Sequence, residues 1–263
     1  YLRELRDDFG KYVVLFLFMA GMIALVSGFL VSNDSMQASY EESFTKYNIE
    51  DGNFELSEEA DETLLDTLEK ENLTIYKNYY LEEETKEVDS TLRIFQNREK
   101  INKACLMEGA FPTKKDEIAI DRMYADNNEL KVGDTITIQN QKMKITGLVA
   151  LSDYSALFSN NSDMMFDAMK FGVAVVTEEG FAQFSEDHLH YSYSWIYDEK
   201  PEDDTEAKEM ADDFLKVLSE NAMLENRTLE NYIPQYLNQA IHFTGDDMVG
   251  DNSMFTVFLY IVV

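Results

Sequence analysis

Two histidines close together are the residues of this sequence best suited to binding a metal ion. His188 and His190 lie two positions apart, directly after Glu186 and Asp187. If this stretch is a strand, both imidazoles face one side and can act as ligands. Two ligands at this spacing are common by chance, so we favour exposed loop residues and predict no metal site.

Asp51, Asn53 and Glu55 have the spacing with which a calcium-binding loop begins. The glycine expected next and the terminal glutamate of such a loop are missing. We therefore predict no calcium site, and no bound cofactor.

Three alternating aromatic residues, Tyr191, Tyr193 and Trp195, could stack on a ligand. A strand that buries one face shows the same spacing. The sequence favours the buried strand face.

A methionine-rich stretch contains Met164, Met165, Phe166 and Met169. These flexible side chains could form an apolar contact surface, or they could fill gaps in a core. We favour core filling.

The common catalytic motifs are absent. The sequence has no G-x-x-x-x-G-K-[ST] phosphate-binding loop, no H-E-x-x-H zinc motif and no G-x-S-x-G nucleophile motif. We predict no catalytic residues and no enzymatic activity, and a membrane-tethered hydrolase is the least favoured function. Any ATP would have to be hydrolysed by another polypeptide or by a segment outside this sequence.

The charge of the chain is strongly acidic and unevenly distributed. The 263 residues include 51 acidic and 22 basic ones, for a net charge of −29. Nucleic-acid binding requires clustered Lys and Arg, so no nucleic-acid partner is expected. The first 32 residues are balanced in charge, and the whole imbalance therefore lies after them.

Residues 12–31 are 20 consecutive residues without a charge. A helix of this length matches the roughly 30 Å hydrocarbon core of a bilayer. Alternatives are a buried core helix or a signal peptide, but no Ala-x-Ala cleavage pattern follows the run. Because Arg3, Arg6 and Lys11 precede it, we place the N-terminus in the cytoplasm and the acidic region outside.

The two ends of the chain also carry membrane signals. Residues 1–11 have the apolar spacing of an amphipathic helix at the inner membrane surface. Residues 254–263 are uncharged and end with the sequence. We interpret them as the truncated start of a second transmembrane helix, with a buried strand as the alternative.

Residues 33–250 are predicted to form an extracytoplasmic domain with α/β parts at 40–90 and 171–233. A helix capped by Ser57 is expected at 57–72, followed by a strand at 73–81. Further strands are expected at 171–176 and 191–198, a short helix at 178–184, and a helix at 205–221 with one apolar stripe.

A β-rich insert is predicted at 91–153. Short strand-like runs occur there at 91–95, 104–108, 116–120, 134–138 and 142–150, separated by turn signals. Lys142 and Lys144 alternate with Met143 and Ile145, as expected for a strand with one buried face. The predicted fold class is therefore α+β: a membrane helix, an α/β domain interrupted by a β-rich insert, and the start of a second membrane helix.

The run from residue 103 to 155 resembles the periplasmic core of FtsX/MacB-type ABC transporter permeases. The matching features, in order, are Gly109-x-x-Pro112 in a turn, 116–118 opening a strand, a helix at 122–128, Lys131-Val-Gly-Asp134 before another strand, and Ile145-Thr-Gly147 within the last one. Gly109 and Gly133 suit turn dihedrals that a Cβ disfavours, and Asp134 can bond its local backbone.

The resemblance implies a permease subunit in the plasma membrane of a bacterium. In that family a separate ABC ATP-binding subunit or domain hydrolyses ATP, and the motion reaches the outer domain through the membrane helices. The implied partners are this ATPase, the lipid bilayer, and a second permease copy or homologous half. The alternative function is the extracytoplasmic sensor domain of a membrane receptor or kinase, which has the same outline.

Overall fold

The computed structural model describes residues 9–262 and has the predicted α+β fold. It divides into two units. Residues 43–244 form a mixed α/β unit, and residues 1–42 with 245–263 form the other, whose described parts are helical.

The six helices of the described residues differ greatly in length. They are α1 (Phe9–Lys46), α2 (Glu62–Leu68), α3 (Arg122–Asn127), α4 (Glu178–Phe181), α5 (Asp204–Leu224) and α6 (Gln239–Val262).

Eleven strands in the described residues form one mixed sheet. They are β1 (Gly52–Leu56), β2 (Leu73–Lys77), β3 (Tyr80–Thr85), β4 (Ser90–Gln96), β5 (Ala104–Gly109), β6 (Glu117–Asp121), β7 (Thr135–Ile138), β8 (Gln141–Leu151), β9 (Phe171–Val176), β10 (Leu189–Tyr197) and β11 (Leu229–Pro234). The strand order is β11-β1-β10-β3-β4-β9-β6-β8-β5, with β2 paired to β10 and β7 paired to β3 and β8. The pairs β4–β9 and β6–β8 are parallel, and the others are antiparallel.

The α/β unit has two main hydrophobic cores. The first fills the half built from β3 to β9. The second lies between β1, β2 and β10 on one side and α2 and α5 on the other, with Trp195, Phe54 and Phe214 at its centre. The Trp195 ring lies 5.0 Å from the Phe214 ring. The predicted insert at 91–153 is not a separate core: it shares the first core with residues 80–88 and 171–184.

The turn chemistry expected within the insert is confirmed. Gly109 and Gly133 have φ values of +75° and +102°. A Cβ on Gly109 would lie 2.2 Å from the carbonyl oxygen of Thr146, so no side chain fits there. The Asp134 carboxylate accepts a hydrogen bond of 2.8 Å from the backbone N–H of Lys131. All five short strands predicted in this region are present.

The predicted helix at 57–72 is wrong at its start, and its last turn is a 3₁₀ helix instead of an α-helix. Helix α2 begins at Glu62, because Asp61 supplies the N-cap and accepts a hydrogen bond of 2.8 Å from the N–H of Leu64. Ser57 instead accepts a bond from the N–H of Thr228. The helix gives way to a 3₁₀ turn that ends at Asn72, whose left-handed φ of 58° starts the next strand.

The predicted strand at 73–81 divides into β2 and β3. The first pairs with residues 193–197 of β10, whereas the second pairs with residues 189–190 of that strand and then with β4. The chain therefore changes neighbours at Asn78, which donates to Ser194.

The helical unit contains the apolar segments. Of the described residues, only α1 is long and apolar enough to cross a membrane, and none of the residues in its apolar window is buried. Residues 254–262 belong to α6, so the strand alternative for this run is wrong. Within this unit, Phe29 of α1 stacks on Phe255 of α6 at 4.0 Å between ring centroids. Residues 1–8 of the predicted amphipathic helix lie outside the described residues.

Replacing Leu218 by Ala should destabilise the α/β unit. Leu218 lies on α5, is fully buried in the second core, and its truncation leaves a cavity. We expect a loss of about 2–5 kcal/mol in the free energy of unfolding. Leu224→Ala, at the end of the same helix and 78 % exposed, should change it by less than about 0.5 kcal/mol. Urea titration of the whole chain in detergent, followed by fluorescence of the single tryptophan, measures both, and equal losses would contradict this packing.

Candidate functional site

The α/β unit contains a polar cleft of about 520 Å³ whose floor is one face of five adjacent strands. Side chains alternate between the two faces of a strand. On β10, Tyr193 and Trp195 enter the second core, so Ser192 lies on the opposite face. The floor is lined by Asn231 on β11, Asn53 and Glu55 on β1, His190 and Ser192 on β10, Tyr80 and Glu82 on β3, and Arg93 and Phe95 on β4.

The register of the strands places these side chains in rows across the floor. Glu55 is opposite Asn231 on one neighbour and Ser192 on the other. Tyr80 is likewise opposite His190 and Phe95. Polar and aromatic groups from distant parts of the sequence are therefore fixed side by side by backbone hydrogen bonds.

Arg93 joins the floor to the segment 153–162, which we call the cleft wall. Its Nε donates to Glu82 Oε1 at 2.9 Å, its Nη1 to the Tyr154 hydroxyl at 2.7 Å, and its Nη2 to the Ser159 carbonyl at 3.0 Å. The guanidinium also lies 4.4 Å from the centroid of the Tyr80 ring. Burial raises the pKa of Tyr154 to about 12, so its hydroxyl stays protonated near neutral pH.

A second buried ion pair holds the beginning of the cleft wall. Arg98 donates from both Nη atoms to the carboxylate of Asp153, at 2.6 and 2.9 Å. Both side chains are about 95 % buried, and the guanidinium packs 4.6 Å from the Phe95 ring. The planar, bidentate geometry suits Arg, because Lys would offer a single point charge.

Glu50 is a buried carboxylate that lines the cleft. Its carboxylate accepts hydrogen bonds from Asn53 at 2.6 Å, Asn102 at 2.6 Å and Ser194 at 2.5 Å. Burial raises its pKa, the negative charge of Asp153 adds to the increase, and the three hydrogen bonds offset part of it.

Glu55 lies nearer the cleft opening. The Tyr80 hydroxyl donates to Glu55 Oε1 at 2.5 Å, and His190 Nδ1 lies 3.7 Å from Oε2. The imidazole stacks on the Tyr80 ring at 4.5 Å. Burial by itself would raise the pKa of Glu55, but its contacts with His190 and Tyr80 and the charge of Arg93 keep this pKa below its usual value.

The cleft wall also holds the start of α6. Ser155 donates to the carbonyl oxygens of Ala240 at 3.0 Å and Ile241 at 2.7 Å. The Thr244 hydroxyl donates to the Ser155 carbonyl at 3.0 Å. The rings of Phe158 and Phe243 meet at 5.4 Å. The segment that closes the cleft is therefore the segment to which the first turns of α6 are attached.

The structure separates the two histidines considered as metal ligands. His188 lies in a 3₁₀ turn, is largely exposed, and has its Nδ1 3.0 Å from Glu83 Oε1. His190 lies on β10 beside Glu55, so the loop interpretation is wrong for this residue. Among the described residues no group of three or more His, Cys, Asp or Glu side chains is arranged to hold a metal ion.

The three residues with calcium-loop spacing do not converge on one point. Asp51 accepts hydrogen bonds from Lys200 Nζ at 2.5 and 2.6 Å and from the Tyr197 N–H at 2.8 Å. Asn53 and Glu55 instead line the cleft.

The alternating aromatic residues of β10 fill the second core, as predicted. Tyr193 and Trp195 are fully buried, and Tyr191 packs against the same cluster. Trp195 stacks on Tyr232 at 5.1 Å.

Core filling is wrong for the methionines of the 164–169 stretch. Met164 and Met165 are 96 % and 82 % exposed, and Met169 is also exposed. Phe166 alone packs inward, with its ring 5.6 Å from Phe158. The stretch lacks regular secondary structure, so its backbone does not impose one inward face.

Sequence reasoning missed the cleft and its two arginines. The signal that could have found the cleft is the polar half of each alternation, because Asn53 and Glu55 flank Phe54 of the second core, and Ser192 and Ser194 alternate with its aromatic residues. Nothing local in the sequence indicates that Arg93 meets Tyr154 or that Arg98 meets Asp153.

No protein-family model and no curated protein sequence matches this chain. Among solved structures, the chain is similar to the extracellular domain of the ABC-type transporter YknZ from Gram-positive bacteria, with a TM-score of 0.37, 11 % identity, and coverage of 68 % of this chain and 100 % of that one. It is also similar to the periplasmic region of MacB from Actinobacillus actinomycetemcomitans, with a TM-score of 0.37, 10 % identity, and coverage of 68 % and 88 %.

The buried Glu50 should make stability depend on pH. Because its pKa is raised above 4.5 by folding, its contribution is fully present below that pH and is lost as pH rises through the folded-state value. We expect the free energy of unfolding of the wild type minus that of Glu50→Gln to fall as pH rises above about 4.5. The difference falls by about 1.4 kcal/mol for each pH unit over which the folded state binds one proton more than the unfolded state.

Urea titrations at several pH values measure this difference. Glu84→Gln is the control, since Glu84 is exposed on β3 outside the cleft. A difference that increases with pH would mean that folding favours the ionised form of Glu50.

Proposed function

We propose that this chain is part of an ABC transporter permease, in which α1 crosses the membrane and the α/β unit lies outside the cytoplasm. In this proposal residues 1–11 lie at the inner surface, 12–31 cross the bilayer, 33–250 form the extracytoplasmic domain with its insert at 91–153, and 254–263 begin a second span. The permease couples ATP hydrolysis by a separate subunit to motion of the outer domain, for export or for activation of a partner outside the cell.

The order of the parts is the observation that carries this proposal. A helix with an exposed apolar window leads into an α/β unit, and a second helix leaves that unit and becomes apolar after Met254. Exposed residues of α1 include Phe16, Leu17 and Phe18. Such a surface is stable in lipid and unfavourable in water.

The resemblance of residues 103–155 to the FtsX/MacB-type core supports the same function. Gly109, Gly133 and Asp134, which carry part of that resemblance, have the turn conformations and local bonds that it implies. The absence of a phosphate-binding motif is consistent with ATP hydrolysis on another polypeptide.

The single cysteine offers a test of topology. Cys105 lies on β5 and is partly exposed. If the α/β unit is extracytoplasmic, a membrane-impermeant maleimide added to intact spheroplasts labels Cys105 before lysis.

Lys11→Cys in a Cys105→Ser background is the matched control, because residue 11 precedes the proposed span. This variant should be labelled only after lysis. Labelling of Cys105 only after lysis would contradict the proposed orientation.

Association with an ATPase is the second expected outcome. Mild detergent extraction from the native cells should recover the chain together with an ABC ATP-binding subunit. The purified chain alone should have negligible ATPase activity. Robust ATP hydrolysis by the purified chain alone would contradict the proposal that a separate subunit hydrolyses ATP.

A further inference from the structure

Two polar groups in the cleft lack protein partners. The residues Ser192 and Asn238 are only 5 % and 7 % exposed, and both line the cleft. Ser192 Oγ makes no hydrogen bond to any residue that the structure describes. Asn238 accepts from the N–H of Ala240 through Oδ1, while its Nδ2 has no acceptor in that part of the chain. Neither atom is fully enclosed by protein, so both can be reached from the cleft and are open to a ligand.

The charges around these groups favour a cation. Glu82 and Asp153 are neutralised by Arg93 and Arg98. Glu55 and Glu230 also line the cleft, and neither has a Lys or Arg partner within 4.0 Å among the described residues.

Both guanidinium groups are thus already paired with carboxylates, and Arg93 is the only Lys or Arg among the described residues that line the cleft. The net charge of −29 reinforces this preference, because the field of the whole chain attracts cations.

The shape and the remaining lining suit a small organic molecule. A volume of about 520 Å³ lies within the range of about 300–1,000 Å³ found for ligand pockets. Phe95 and Phe158 line the cleft beside the polar groups. Aromatic faces attract cations and also pack against the C–H groups of a ring.

We propose that the cleft binds a hydroxylated organic cation, such as an amine-bearing sugar of about disaccharide size. The ammonium group pairs with Glu55 and Glu230 at the cleft opening. Hydroxyl groups of the ligand bond to Ser192 Oγ and Asn238 Nδ2.

The direct test is calorimetric titration of the whole chain, in detergent and at low salt near pH 6, with the β-1,4-linked disaccharide of glucosamine. Its amines are then protonated, as amines of this kind lose their proton at about pH 8. The matched ligand is the N,N′-diacetylated disaccharide, which has the same backbone but neutral amides. We expect one site and at least about tenfold tighter binding of the free amine, since a charge-assisted bond contributes about 1.5–3 kcal/mol.

Three variants locate the binding. Glu55→Gln keeps an acceptor for Tyr80 but removes the charge, and it should weaken binding about tenfold or more. Ser192→Ala removes one hydrogen bond and should weaken it about two- to tenfold. Glu84→Gln is the control: it removes a charge on β3 outside the cleft and should change the affinity less than about twofold. Thermal melts establish that each variant is folded. If Glu55→Gln does not fold, Ser192→Ala alone locates the binding site.

Three outcomes would overturn the proposal. These are no binding at millimolar concentration, equal affinity for the free and acetylated disaccharides, and binding that neither cleft variant weakens. The test does not depend on the permease assignment, because labelling of Cys105 and recovery of an ATPase report on that assignment separately.

Discussion

The buried guanidinium of Arg93 is the interaction on which the arrangement of the α/β unit depends. It donates hydrogen bonds both to Glu82 of β3 and to Tyr154 and Ser159 of the cleft wall, and it packs on the Tyr80 ring. A charge this buried has a large desolvation cost, which only several simultaneous partners offset. Removal of one partner of a buried pair typically costs about 3–5 kcal/mol, because the other charge is left uncompensated. Arg93 therefore fastens the cleft wall to β3.

The period of two along β1 and β10 produces both the second core and the cleft. Phe54 and Trp195 lie on one face of these strands and Asn53 and Ser192 on the other. The core face is covered by α2 and α5, and the cleft face by the wall. A register shift of one residue would exchange aromatic and polar side chains between the two faces, so the core and the cleft require the same register.

Local features of the fold were predictable, and contacts distant in sequence were not. The strands of the insert, the turns at Gly109 and Gly133, and the apolar stripe of α5 follow from residue types within a short window. The start of α2 was misplaced because Ser57 and Asp61 are both good caps, and the pairing of Ser57 with Thr228 decides between them. The cleft required pairing across more than 100 residues, as between Glu50 and Ser194, and one sequence contains no signal for that.

The same cleft connects the places where the chain enters and leaves the α/β unit. After α1, Asn48 donates to the Lys100 carbonyl at 2.7 Å and accepts from the N–H of Asn102 at 2.9 Å. The loop containing these two partners also supplies Arg98, which holds Asp153 of the wall. The wall in turn bonds to the first turn of α6 through Ser155. The segment that follows α1 and the start of α6 are therefore each bonded to one of the two chain segments that meet at the Arg98–Asp153 pair. Displacement of the cleft wall would disturb both sets of bonds.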